Sequence, residues 1–167
     1  MLDRRGMTLT EILVTVSVLA ILAGIVFNVV PYARERAEGV KCTQNMRSLY
    51  VSLSSYIQEQ GHWPQEPEEV GDNPNALEDW WLEELKPYGG TKEVWRCPTI
   101  YRRISSKNPD GRPLLHYTPA MFDEGPYTPY RWPNQPWLSE IGNMHGRGAL
   151  ICFPDGSIRA MDDVVRR

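Results

Sequence analysis

Apolar residues dominate the first thirty positions and then thin into a stripe. From Ile12 to Val30 the chain runs 19 residues without a charge, with Thr15, Ser17 and Asn28 as the polar interruptions. As a helix this stretch spans about 28 Å at about 1.5 Å per residue, close to the hydrocarbon thickness of a bilayer. After Pro31, the residues Arg34, Glu35, Arg36, Glu38 and Lys41 predict a solvated, mixed-charge face. Cys42, Met46, Leu49, Leu53 and Tyr56 or Ile57 then recur at helical spacing and predict a core-facing stripe. Gly61 and Pro64 mark its end. The pattern predicts one helix from Thr8 to Gln60, about 80 Å long and bent at Pro31. The proline ring leaves the Phe27 carbonyl without its usual donor and loosens the helix near Asn28.

Beyond residue 61 the period fades. Residues 62–90 are polar, with turn signals at Pro64, Pro67 and Asp72 to Pro74, and a short helical piece at Leu77 to Leu85. Glu93 to Pro98 (EVWRCP) reads as a short strand ended by proline. Lys107 to Arg112 reads as a turn, and residues 116–140, rich in Pro and aromatics, read as an ordered loop. The clearest late element is GALICFPDGSIRAM, in which Ala149 to Phe153 and Ser157 to Met161 form a hairpin across Pro154-Asp155-Gly156. A long helix with one apolar stripe needs a sheet to cover it, so the expected class is α+β.

Composition narrows the function. The chain has 167 residues, a net charge of −3 and no basic blocks, which argues against nucleic-acid binding. Its three cysteines, Cys42, Cys97 and Cys152, contain no C-x-x-C, so zinc is unsupported by spacing. In an exported domain one disulfide and one thiol are expected. Cys42 with Cys97 is the pairing that would pin the loop domain to the helix, although spacing alone does not give connectivity. For an enzyme the chain offers no G-x-S-x-G, no S-x-x-K and no H-E-x-x-H. His145 and Asp155 do not form a catalytic pair, since a strand between them separates them by about 17–20 Å. A loop-ordering histidine and a turn aspartate are the expected roles.

The apolar run exceeds the h-region of a cleaved secretory signal and lacks a good A-x-A site, so it reads as a retained anchor. Arg4 and Arg5 keep the N-terminus cytoplasmic and export the rest, an asymmetry that Arg34, Arg36 and Lys41 weaken. Glu11 stands at the entrance of this run, where an ionised side chain is costly. Two readings account for it. Thr8-x-x-Glu11 fits a capping box, and an acid in the first turn suits the helix dipole. Alternatively, a cut after Gly6 gives Met7 a new ammonium, and a carboxylate and an ammonium in hydrocarbon are much cheaper paired than apart. The pair forms within one chain or between neighbouring chains, and the second arrangement explains assembly.

Arg4-Arg5-Gly6, then Met7-Thr8-Leu9-Thr10-Glu11 and an unbroken apolar helix resemble the prepilin signal of type IV pilins and type II secretion pseudopilins. The resemblance implies a pilin-like fold, in which a long helix, transmembrane then amphipathic, packs on a small antiparallel sheet with long loops. It implies a leader at residues 1–6, a membrane or filament-core helix at 7–30, an amphipathic continuation at 31–60 and an extracytoplasmic head at 61–167. A prepilin peptidase would cut between Gly6 and Met7 and methylate Met7, and Glu11 would guide assembly. The family usually has Phe after the cut; here it is Met7. Implied partners are further copies in a helical filament, the peptidase, an inner-membrane assembly platform and the lipid bilayer. The implied function is a structural subunit, major-type, with a signal-anchored binding module or a minor tip subunit that recruits cargo as alternatives. No cofactor is implied. Some pseudopilins do bind calcium in the C-terminal sheet, and the candidate oxygens here are Asp155, Asp162 and Asp163, which lack EF-hand spacing. Cys42-x-x-Asn45 followed by an apolar residue also resembles many pseudopilin-like proteins. His145, nine residues, then Asp155-Gly156 is similar to the H-x9-D-G motif of a large group of prepilin-type proteins, to which no enzymatic activity is attached.

Overall fold

The computed structural model describes residues 8–126, 128–146 and 148–165. Helix α1 runs Leu9–Gln60 and carries Pro31 inside it. The helix is continuous past Asn28, whose side-chain amide donates to the Gly24 carbonyl at 2.7 Å. A backbone contact division falls between Ala37 and Glu38, giving two units.

Among its described residues, the first unit is helix whose large apolar side chains are exposed. Leu13, Leu19, Ile21 and Phe27 are all well exposed, Phe27 at 80 %. Thr15, Ser17 and Asn28 turn their polar groups back onto carbonyls of their own helix. That satisfies them without water, as a hydrocarbon surrounding demands.

The second unit holds the core. Its side of α1 buries Cys42, Met46, Leu49, Leu53, Tyr56 and Ile57, the predicted stripe. Helix α1 ends where Gly61, at φ +81°, gives its amide to the Ile57 carbonyl at 2.9 Å, a left-handed stop that favours glycine. Helix α2 (Glu68–Gly71) is followed by α3 (Pro74–Leu85). The latter starts three residues before the expected piece, because Asn73 caps it through Oδ1 and Pro74 fits the first turn. The expected strand at Glu93 to Pro98 is absent. Residues 92–95 form turns, and Pro98 opens helix α4 (Pro98–Arg103) instead. Val94, Trp95 and Cys97 are apolar because that turn is inserted into the core, not because they alternate along a sheet. The Lys107 to Arg112 turn is present, with Gly111 at φ +70° and its amide on the Asn108 carbonyl.

The segment expected as loop supplies half of the sheet. Strands β1 (Tyr117–Pro119) and β2 (Leu138–Glu140) flank the short helix α5 (Thr128–Arg131). Strands β3 (Leu150–Cys152) and β4 (Ile158–Ala160) form the predicted hairpin, and Met161 leaves it to begin α6 (Met161–Val165). The sheet is antiparallel throughout, in order β1-β2-β3-β4. Leu138 pairs with Cys152, and Leu150 with Ala160. Three-residue strands are too short to show a period of two, which is why alternation revealed so few of them. This is the expected α+β, pilin-like organisation of a long N-terminal helix followed by a small antiparallel sheet.

Large side chains fill the space between α1 and the sheet. Trp63, Trp81, Trp95 and Trp137 are all but fully buried. Trp63 meets Trp137 edge-on at 5.3 Å and Phe122 at 4.8 Å, while Tyr50 of α1 stacks on Trp137 at 5.2 Å. Rings of this size bury 150–250 Å² each, by a rough general measure. They give the small sheet an apolar layer that its own short strands could not provide.

Candidate functional site

At the N-terminus, Thr8 and Glu11 close a capping box. The Thr8 amide donates to Glu11 Oε2 at 2.8 Å, and the Glu11 amide donates to Thr8 Oγ1 at 3.3 Å. The Thr8 hydroxyl also donates to Glu11 Oε2, at 2.8 Å. Within a single chain the acid is therefore held by its own helix end. Gly6 and Met7 lie outside the described residues.

In the second unit the H-x9-D-G motif clamps the hairpin to α1 at two points. Asp155 Oδ1 accepts the Ser157 amide at 2.8 Å, and the Ser157 bonds hold this carboxyl below its ordinary value. Gly156 has φ +75°, and a Cβ placed on it would come within 3.0 Å of the Tyr50 ring. Conformation and close approach thus both call for glycine here. The Tyr50 hydroxyl donates to the Pro154 carbonyl at 3.0 Å. At the other end, His145 Nε2 lies 3.1 Å from Glu140 Oε1 and 3.5 Å from Cys97 Sγ. Cys97 is disulfide-bonded to Cys42 of α1. Cys42 and Tyr50 are eight residues apart, about 12 Å of helix. The motif's two ends therefore rest on α1 about two turns apart, and His145 and Asp155 share no hydrogen bond.

The surroundings of the disulfide were not foreseen. The Tyr117 hydroxyl donates to the Cys42 carbonyl at 3.1 Å, and Asn45 Nδ2 donates to the Arg96 carbonyl at 2.6 Å. The Cys97 amide donates to His116 Nδ1 at 2.9 Å. The other nitrogen, Nε2, is 2.8 Å from Ser105 Oγ, which donates to the Pro113 carbonyl. Burial pushes the His116 imidazole below its ordinary value, and the neighbouring Arg96 acts in the same sense. Glu38, expected on a solvated face, instead accepts from Thr99 at 2.9 Å and from Arg102 at 2.8 Å, holding α4 against α1. Asn45 and Glu38 sit on helical faces beside the apolar stripe, and that position was the available signal. Nothing local to His116 or Glu140 marked them.

Among the described residues, the candidate calcium ligands Asp155, Asp162 and Asp163 do not form a metal-binding cluster. The His/Cys/Asp/Glu group whose ligand atoms do converge is Cys42, Cys97, Glu140 and His145.

Residues 1–27 match the family model described as the prokaryotic N-terminal methylation motif. The N-terminus is a prepilin signal. No curated protein and no solved structure matches the chain. The signal covers the start of α1, where the apolar side chains are exposed and Glu11 is capped. It supports reading the chain as a type IV pilin-like or pseudopilin subunit, and it implies processing by a prepilin peptidase. Together with the one helix among the described residues that is long and apolar enough to cross a membrane, it fits a single-pass, inner-membrane-anchored protein.

Proposed function

We propose that the chain is a structural subunit, major-type, of a type II secretion pseudopilus or type IV pilus-like filament. The observation that carries this reading is the methylation motif over residues 1–27, continuous with a helix half whose described apolar side chains are exposed. In this reading the peptidase cuts after Gly6 and methylates Met7, with the N-terminus cytoplasmic and the second unit outside. The helix waits in the bilayer and then packs against other copies. Glu11 exchanges its Thr8 cap for the ammonium of a neighbouring Met7, because a buried acid and amine are each expensive unpaired.

The closed cap favours a second reading, in which the helix is a plain anchor for an extracytoplasmic binding module or a minor tip subunit. There Glu11 needs nothing beyond Thr8. Glu11→Gln separates the two. Glutamine serves a capping box equally well, so the anchor reading expects no change. The filament reading expects cleaved subunits that remain in the membrane unassembled. Intact mass after co-expression with a prepilin peptidase should show loss of residues 1–6 and one added methyl. A mass retaining those residues would overturn the filament reading.

A further inference from the structure

Cys42 Sγ, Cys97 Sγ, a carboxylate oxygen of Glu140 and a ring nitrogen of His145 all lie within 4.8 Å of one another. They come from four separate places: α1, the residue capping α4, the end of β2 and the loop before β3. Each is held by contacts of its own. The Glu140 side chain is wholly buried, with Oε1 on His145 and Oε2 accepting the Leu150 amide at 3.3 Å. Cys42 is fixed through its carbonyl by Tyr117, and Cys97 through its amide by His116. A carboxylate this deep is costly unless paired, hydrogen-bonded or bound to metal, and here His145 and the Leu150 amide meet it.

We propose that, once the disulfide is reduced, these four side chains bind one zinc ion in a tetrahedral site of two thiolates, one imidazole and one carboxylate, and that the metal replaces the disulfide as the link between helix and sheet. A dithiol or phosphine reductant supplies two electrons. The S–S bond breaks, two protons are taken up, and two thiols result. Zinc binding then expels those two protons as two Zn–S bonds form, together with one bond to His145 Nε2 and one to Glu140. Two thiolates and one carboxylate around the divalent ion would leave the ligand set with a single net negative charge.

Zinc–ligand bonds of about 2.0–2.3 Å put neighbouring ligand atoms about 3.3–3.8 Å apart. The widest pair of donors must close by about 1 Å, and the two sulfurs, freed from their bond, must move apart by about 1.7 Å, which side-chain rotation at the two cysteines can supply. The set is also the kind zinc prefers, two thiolates with a nitrogen and an oxygen. Burial pushes the remaining thiol, Cys152, up to about 12, so it does not compete as a thiolate. The inference does not depend on filament assembly.

The test uses the full chain in detergent, reduced anaerobically with a phosphine and titrated with Co2+ as a spectroscopic stand-in, then with Zn2+. One Co2+ per chain is expected, giving thiolate-to-cobalt charge-transfer bands and the intense visible bands of a tetrahedral site, both lost as Zn2+ displaces it. Zn2+ should raise the Tm of the reduced chain and leave that of the oxidised chain unchanged. Cys152→Ser should bind as the wild type does, whereas His145→Ala and Glu140→Gln should weaken Co2+ binding at least about tenfold. X-ray absorption on the wild-type zinc form should count two sulfurs and two lighter ligands, a readout independent of how the variants fold. Absence of the charge-transfer bands, a different sulfur count, or undiminished binding in both ligand variants would overturn the site.

Discussion

Replacing both Cys42 and Cys97 by alanine removes the covalent link between α1 and α4. The cross-linked residues are 55 apart in sequence. Inserted in the chain-entropy relation, that separation gives about 14 cal/mol/K, or about 4 kcal/mol at room temperature. Both cysteines are fully buried, so lost packing adds to the figure. The unit that unfolds, Glu38–Arg167, has about 130 residues. At about 2.1 cal/mol/K of unfolding entropy per residue, 4 kcal/mol lowers the Tm by about 15 °C. The assay is urea unfolding in detergent with a chelator present, followed by tryptophan fluorescence from the buried indoles. The midpoint should fall, and the m-value should rise, because the unlinked denatured chain exposes more surface. A loss below about 1 kcal/mol with an unchanged m-value would refute an unfolded-state origin and mean that the surrounding hydrogen bonds alone hold the junction.

The remaining expectations concern the second unit. Leu49→Ala, at a fully buried position in the core, should cost about 2–5 kcal/mol in the same urea experiment. His116 is held below its ordinary value, so the unfolded state binds the proton more readily. Its contribution is complete above about pH 6.5 and is lost as the pH falls toward the folded value. A urea midpoint flat between about pH 6.5 and 5 would contradict this. Arg112 forks between Glu78 at 2.6 Å and Asp79 at 2.7 Å. Arg112→Ala should therefore cost about 1.5–3 kcal/mol, and Arg112→Lys should recover only part of it by the same measurement.

What the sequence made legible was what repeats. The apolar run, the stripe from Cys42 to Ile57 and the Pro154-Asp155-Gly156 hairpin each rest on a pattern or turn chemistry contained within one continuous stretch of about twenty residues or fewer. Glu93 to Pro98 misled because a proline after apolar residues ends a strand or begins a helix equally well, and only the core into which Trp95 inserts decides. Strands β1 and β2 were invisible because three residues carry no period, and their partners lie in other parts of the chain. The site around the disulfide follows the same rule. Cys97, His116, Glu140 and His145 are brought together by sheet registry, so no local window contains them.

Cys42 is the first residue of α1 to enter the core. A pull along the helix from its membrane end would therefore load the Cys42–Cys97 bond before any of the aromatic contacts beyond it. The Glu38 bonds to Thr99 and Arg102 come before it in the line of force, about one turn earlier, but beyond them the head cannot be peeled away turn by turn, because the next attachment is covalent. A subunit without that bond would meet tension with side-chain packing alone, and should give way at much lower force.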